Sequence, residues 1–404
     1  MSQFNPKTAS PPNKRRILVD ARFRVQMRGG DRCRYELARN LLRRADADYT
    51  FVTYPHAAAL LASGAHRPIV TPWTPERHPM SDFFEQVRLP LLGRAMGADI
   101  YHGTFNVVPF LRAARATVLT VPDMAVFAYP HAYGKRFAAY MRLLLNVSIS
   151  RADRIIAISD ATKQEIIRLR PDAAGKIVTV LLGVGQEFVD AAGLSQGHVD
   201  AALTRLGVPR PYVLFVGNLE PKKNLPRLIQ AHARMRHASH LPHTLVIVGK
   251  KLTEGPDSGI DSVDRESGAL HFTGFLEEAD LPTLYRGADL VAYPSLYEGF
   301  GMPVLEAMAA GVPVLTSTVS SLPEVAGGAA LLVDPEDVDA MAAGLRRALT
   351  DQAWREEAVH AGRARAAALT WDANARQTSA VYDALWQQIT TQGPARRRPA
   401  PPAG

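Results

Sequence analysis

The stretch LVAYPSLYEGFGMPVLEAMAAGVPVL, residues 290–315, constrains the fold more than any other part of the chain. Residues 290–293 read as a short apolar strand closed by Pro294. The turn Tyr297-Glu298-Gly299-Phe300-Gly301 follows, then a helix with Pro303 at its first position, Glu306 in its first turn and Gly311 just past its end. Proline suits the start because its φ is already helical, and glycine suits the end because it adopts the left-handed conformation that stops a helix. A second apolar strand, 312–315, begins at once. Strand, turn, helix and strand in this order form the repeating unit of a parallel sheet.

The unit also has chemical content. Gly299 and Gly301 let a ligand approach the backbone with no side chain between. The free N–H groups and dipole of the helix that follows favour anionic oxygens. Glu298 and Glu306 can both point at one crevice beyond the strand ends, although a carboxylate near a helix start is equally explained by the helix dipole.

The same alternation runs through the whole chain. Its 404 residues exceed one typical core and suit two α/β domains. Strands are predicted at 16–20, 49–53, 69–70, 100–101, 116–121, 154–159 and 176–182, and again at 212–217, 245–249, 271–274 and 330–333. A link rich in Gly and Pro, about 183–210, separates the two sets. Several strands end in small or polar residues, His102-Gly103-Thr104 and Pro122-Asp123 among them, where an open α/β sheet binds its ligand. Gly29 and Gly30 lie between the first strand and a helix, and Lys222 and Lys223 between the apolar strand 212–217 and the helix 225–235. A simple turn and a solvated charge pair are the plain alternatives at these two places.

A glutamate, a Gly-Phe-Gly turn, a proline and a second glutamate before Ala-Met-Ala-Ala-Gly-Val-Pro-Val resemble the donor-site signature of retaining glycosyltransferases of family 4. These are nucleotide-sugar enzymes of the GT-B fold, two Rossmann-like domains whose parallel sheets face a crevice. Segment 1–13 is polar and proline-bearing and reads as disordered, while the resemblance implies an N-terminal acceptor-side domain 14–190 and a C-terminal nucleotide-sugar domain 191–371. The resemblance implies further a terminal helix 372–390 crossing back to the first domain, and the basic proline-rich composition of 391–404 reads as a disordered tail. Catalytic roles fall on Glu298, Lys223 and Glu306. Gly29, Gly30, Lys222, Lys223 and the backbone of Phe300, Gly301 and Met302 would hold the donor diphosphate. Glu306 would meet the ribose, with Gly274, Phe275 and Leu276 beside the base, and His102 and Asp123 are candidates on the sugar and acceptor side. Two departures stand out: Pro122 occupies a place where the family commonly has His, and Asn218 one where other branches carry Arg.

The wording Gly-x-Leu-Glu-Pro-x-Lys-Asn at 217–224 is similar to mannosyl- and rhamnosyltransferases of bacterial surface-polysaccharide assembly. That implies GDP-mannose as first choice of donor, a glycan or lipid-linked acceptor, and no cofactor beyond the donor. Asp46-Ala47-Asp48 matches a metal-binding acidic triplet only as letters, since it closes a helix, so no catalytic metal is expected. A GT-B nucleotide-sugar epimerase is the alternative enzyme, though it lacks the two-glutamate signature. The net charge of +8 keeps a non-enzymatic membrane- or nucleic-acid-binding protein in view, yet the chain has no aromatic-basic module for nucleic acid. A single cysteine, Cys33, the lack of an apolar leader and the lack of any membrane-length apolar run lead to a cytoplasmic expectation. The helix read at 134–154 mixes Lys135, Arg136 and Arg142 with Phe137, Tyr140, Met141 and Leu144, which suits either its own domain or peripheral contact with the inner face of the cell membrane.

Overall fold

The computed structural model describes residues 14–24, 29–62, 68–71, 83–130, 133–249, 269–274 and 276–391. Expectations for 1–13, for the tail beyond 391 and for Phe275 lie outside the described residues.

Two parallel sheets carry the chain. β1 (Arg16–Asp20), β2 (Asp48–Thr53), β3 (Ile69–Val70), β4 (Ile100–Gly103), β5 (Ala116–Val121), β6 (Arg154–Ala157) and β7 (Ile177–Thr179) stand in the order β3-β2-β1-β4-β5-β6-β7. The second sheet holds β8 (Tyr212–Val216), β9 (Thr244–Val248), β10 (Leu270–Gly274), β11 (Leu290–Tyr293), β12 (Val314–Ser317) and β13 (Leu331–Val333), ordered β10-β9-β8-β11-β12-β13. Strands such as Tyr212–Val216 and Leu290–Tyr293 are apolar at successive positions because helices cover both faces of the sheet, so no face is left for polar residues. In each sheet the strand order reverses once, between β1 and β4 and between β8 and β11. Such switch points open a crevice at the carboxyl ends of the strands.

The helices that matter to the site are α1 (Gly30–Leu42), α2 (Lys135–Arg151), α3 (Asp160–Leu169), α4 (Leu225–Ser239), α5 (Leu281–Gly287), α6 (Met302–Ala309), α7 (Leu322–Ala326), α8 (Val338–Thr350), α9 (Gln352–Ala368) and α10 (Trp371–Thr391). The chain passes between domains twice, and the two passages lie side by side. Val184 N–H donates to the Leu369 carbonyl at 2.9 Å, and Val184 bridges Thr370. From there α10 runs over the first domain, where Tyr382 and Leu385 join the core of Val19, Phe51 and Val118. Arg154 donates to Gln388 at 2.6 Å, Arg115 to the Ile389 carbonyl at 3.2 Å, and Arg15 pairs with Asp383.

The organising unit differs in detail from the sequence reading. α6 begins at Met302, so Pro303 is its second residue and Glu306 stands one turn in, not in the first turn. β12 begins at Val314 rather than Val312, because Ala310 and Val312 N–H groups still bond helix carbonyls of Glu306 and Ala307 and Pro313 has no N–H for the ladder. α3 is capped by Ser159, whose hydroxyl accepts from Thr162 N–H at 3.1 Å, and not by Asp160, which is its first residue. α2 stops at Arg151, three residues short of the expected end, as Ala152 turns extended.

Candidate active site

Lys223, Glu298 and Tyr293 meet at the switch point of the second sheet. Lys223 ends a single 3-10 turn after β8, Tyr293 ends β11, and Glu298 sits in the turn beyond it. The Lys223 ammonium donates to Glu298 Oε1 at 2.6 Å and to the Tyr293 hydroxyl at 2.7 Å. Tyr293 in turn donates to the same Glu298 oxygen at 2.7 Å. The charged side chains of the pair are only 12% and 10% exposed, so each is held by the other rather than by water. Burial pushes the Glu298 carboxyl up, but Lys223 first and Lys222 second, with the bonds from Lys223 and Tyr293, outweigh it and hold the group below the usual carboxylate range. Glu298 is therefore an anion at neutral pH. Lys222 lies beside it, 3.6 Å from Glu220, and Glu298, Glu220 and Asp123 together raise its pKa against burial and the charge of Lys223.

The turn that carries Glu298 is fastened from two sides. Ser320 and Ser321, after β12, donate to the Glu298 carbonyl at 2.5 and 2.9 Å, and Ser321 also donates to the Phe300 carbonyl at 2.8 Å. The first domain holds the other side: Ser159 donates to the Gly299 carbonyl at 2.8 Å. Tyr297 accepts from Met124 N–H at 2.9 Å and donates to Glu165 at 2.7 Å. A Cβ on Gly299 would lie 2.0 Å from the Pro122 carbonyl oxygen, which explains glycine there by close approach and not by conformation. Gly301, at φ +104°, does need its conformational freedom, and it caps α6. Phe300 is 3% exposed with its ring in the core, so what it and Met302 offer a ligand at this turn is backbone.

Glu306 is buried at the far end of the same helix start, and Oε2 accepts from the Tyr285 hydroxyl at 2.8 Å. Burial raises its pKa, opposed first by the charge of Arg32 in α1 and then by the Tyr285 bond. Arg32 follows the Gly29-Gly30 turn, stacks on the Phe188 ring at 5.2 Å and pairs with Glu187. Gly29 has φ +53°, and a Cβ on Gly30 would lie 2.3 Å from the Phe105 ring. Left-handed backbone at Gly29 and the nearby Phe105 ring at Gly30 thus favour glycine in this turn, and the charge of Arg32 acting on Glu306 puts the start of α1 near that carboxyl. Gly274 (φ +69°) ends β10 and Leu276 is buried after it.

Not every expected residue belongs here. His102 is fully buried on β4 and faces α10: its Nδ1 lies 2.6 Å from the Tyr382 hydroxyl and its Nε2 2.8 Å from Thr120 Oγ1. Burial pushes its pKa down to about 3, so it is a neutral brace of the terminal helix and not a sugar contact. Asp123 stays near the crevice, close to Gly299, with one oxygen accepting from Ala125 N–H at 2.9 Å. Asp46 of the acidic triplet accepts from Ser379 at 2.6 Å and from Tyr49 at 3.0 Å, which fastens α10. Burial pushes the Cys33 thiol up to about 12, out of nucleophile range. Among the described residues no group of three or more His, Cys, Asp or Glu is placed to hold a metal ion.

The profile of Glycosyl transferases group 1 matches residues 204–365, and that of Glycosyltransferase Family 4 matches residues 27–188. The O-antigen chain mannosyltransferase B of Escherichia coli is 37% identical over 289 residues, which cover 71% of this chain and 74% of that protein. The serotype-specific mannosyltransferase WbdA of Escherichia coli is 32% identical over 57% of this chain, a match that spans only 28% of WbdA. Among solved structures, sucrose-phosphate synthase from Thermosynechococcus elongatus superposes with a TM-score of 0.72 at 21% identity, over 93% of this chain and 100% of that one. With both halves matched in order and the GT-B architecture shared, the chain belongs to glycosyltransferase family 4.

Proposed function

We propose that the chain transfers a hexose, mannose in the first place, from GDP-mannose to a glycan or lipid-linked acceptor during surface-polysaccharide assembly, with retention at the anomeric carbon. One observation carries the reading: a buried anion, Glu298, and two lysines, Lys222 and Lys223, gathered at the switch point where the first domain closes over them. The mannosyltransferase names of its relatives support the choice of sugar and of O-antigen-type product.

The residues divide the work. As the bond between the anomeric carbon and the phosphate oxygen breaks, its electron pair leaves with the diphosphate. Lys222, Lys223 and the N–H groups at the start of α6 stabilise the charge that grows there. Loss of one such donor typically costs about 100- to 1000-fold in rate. Glu298, an anion beside the sugar, steadies positive charge at the anomeric carbon. The acceptor hydroxyl adds on the face the diphosphate leaves, and its proton passes to the departing phosphate oxygen. Glu306 accepts from ribose hydroxyls, and the turn after β10, with Gly274 and Leu276, lies against the base. No divalent metal enters this scheme, because cationic side chains and helix N–H groups meet the leaving charge.

The acceptor side belongs to the first domain. Phe137, Tyr140 and Leu143 on α2 are 53%, 44% and 62% exposed, beside exposed Lys135 and Arg136. That apolar and basic face suits peripheral contact with an anionic lipid surface, where a lipid-linked acceptor would be met. No described helix is long and apolar enough to cross a membrane. Screening nucleotide sugars by thermal shift and by release of nucleoside diphosphate tests the donor. Stabilisation and turnover with GDP-mannose above the others are expected, whereas a preference for a uridine donor would overturn the assignment.

A further inference from the structure

We propose that Tyr293 is a positioning residue of the donor site, whose hydroxyl sets the Glu298 carboxylate and the Lys223 ammonium in register with each other. This rests on the transferase reading above but goes beyond it, since the backbone of the Glu298 turn is fastened while the charged tips of Glu298 and Lys223 are set by side-chain bonds alone. Lys223 lies on one short turn and is followed by Asn224 in the left-handed conformation. Glu298 lies on an irregular turn as well.

Tyr293, by contrast, is part of the sheet. It is the last residue of β11, is 1% exposed, and packs against Phe215 of the neighbouring strand with ring centres 6.0 Å apart and planes tilted by 30°. Its carbonyl accepts from Thr316 Oγ1 of β12 at 2.8 Å, so the strand is held on that side also. With only two side-chain torsions, both fixed by packing, the phenol oxygen is placed by the core and not by the loops. A phenol accepts and donates at once, and here it does both: it accepts from Lys223 at 2.7 Å and donates to Glu298 Oε1 at 2.7 Å. The triangle closes with the 2.6 Å bond from Lys223 to the same oxygen. The ammonium also stands 5.2 Å from the centre of the Tyr293 ring, within reach of its π face. The Tyr293–Glu298 bond is buried and both bonds from Lys223 are partly buried, so water has little room to replace a lost partner.

Phenylalanine at 293 keeps the ring and its packing and removes only the oxygen. Glu298 and Lys223 then retain each other but lose the fixed point between them. Displacements of about 1 Å at a reacting centre cost on the order of 100-fold in rate. Tyr212 provides the matched comparison. It begins the neighbouring strand β8, is fully buried, and donates its hydroxyl to the Leu284 carbonyl at 2.6 Å, away from the donor turn.

The experiment compares Tyr293→Phe and Tyr212→Phe with the wild type, using GDP-mannose turnover, GDP affinity and the rate of reductive methylation at Lys223 read by peptide mass spectrometry. Tyr293→Phe is expected to lower kcat about 10- to 100-fold, with KM and GDP affinity changed by no more than a few-fold. Its acid limb should move to higher pH, because a bond that helps hold Glu298 ionised is gone while Lys223 and Lys222 remain. Lys223 should be methylated several-fold faster. Tyr212→Phe should lose comparable thermal stability and keep wild-type kcat, pH profile and Lys223 labelling. Wild-type kcat and labelling in Tyr293→Phe, or equal losses of kcat in both variants, would overturn the assignment. If the wild type consumes no GDP-mannose, the donor reading fails, and the labelling rate still decides the role of Tyr293.

Discussion

Replacing Gly299 with alanine should separate the two domains at the crevice without unfolding either. The added Cβ would stand 2.0 Å from the Pro122 carbonyl oxygen and 2.8 Å from Asp123 Cβ. Both obstacles belong to the other domain, and the nearer one is backbone, so no rotamer relieves the clash. Ordinary contact begins near 3.4 Å, and the segments must therefore part by about 1.4 Å. Gly299 is not among the residues of positive φ, so alanine brings no backbone strain of its own. Inside a single core such overpacking costs about 1–3 kcal/mol. Here the domains can move instead, straining the bonds that cross near Gly299: Ser159 to its carbonyl, Met124 N–H to Tyr297, Tyr297 to Glu165, and the Asp160 and Ala161 N–H groups to Glu324. At about 1 kcal/mol net for each bond lost, a partial opening costs about as much as enduring the clash. The Glu298 turn then loses its support from the first domain, and a shift above 1 Å should lower turnover about 100-fold. GDP binding, most of whose proposed contacts lie in the second domain, should weaken only a few-fold. Initial rates, thermal unfolding and solution scattering read the three effects. Wild-type turnover together with an unchanged radius of gyration would show that the close approach of Gly299 to Pro122 does not set the site.

Glu306→Gln should chiefly raise the donor KM, about tenfold, because a ribose contact is present before and during reaction alike; a fall in kcat at constant KM would move Glu306 into the chemical step. Because burial depresses the His102 pKa from 6.5 to about 3, the unfolded chain takes up the extra proton between those values, and stability falls as pH falls by up to about 1.4 kcal/mol per unit. His102→Gln should remove about half of the histidine-linked decline of the thermal midpoint between about pH 6.5 and 4, leaving the comparable part due to buried His232, whose pKa is pushed down to about 4; an unchanged slope would remove His102 from the account. Turnover should survive exhaustive chelation, and loss of activity restored by magnesium or manganese would contradict leaving-group stabilisation by Lys222, Lys223 and the α6 N–H groups.

The unit at 290–315 was legible because its periodicity, proline and glycines act locally. The strand Leu290–Tyr293, the turn and the helix all follow from neighbours in sequence. The Lys222-Lys223 turn was legible for the same reason, as a polar break after an apolar strand. What escaped were partners brought together by topology. Tyr293 reads as one more apolar strand residue, and only its place at the strand end beside β8 puts its hydroxyl between Lys223 and Glu298. Arg32 and Tyr285 meet Glu306 from two different domains, and Tyr297 meets Glu165 and Met124 across the crevice. His102 shows the converse. A histidine at a strand end suggests a ligand site, but its side chain faces the terminal helix, whose path over β4 and β5 is a long-range matter.

The central claim is that the Glu298–Lys223 site breaks a sugar–diphosphate bond with retention. Proton NMR of the purified protein incubated with GDP-mannose, and with lipid-linked acceptor or water, follows that bond and the new anomeric centre in one spectrum. The account predicts that GDP appears with an α-mannosyl product, and that Glu298→Gln slows both signals together. A β-linked product, or undiminished turnover by correctly folded Glu298→Gln, would contradict it.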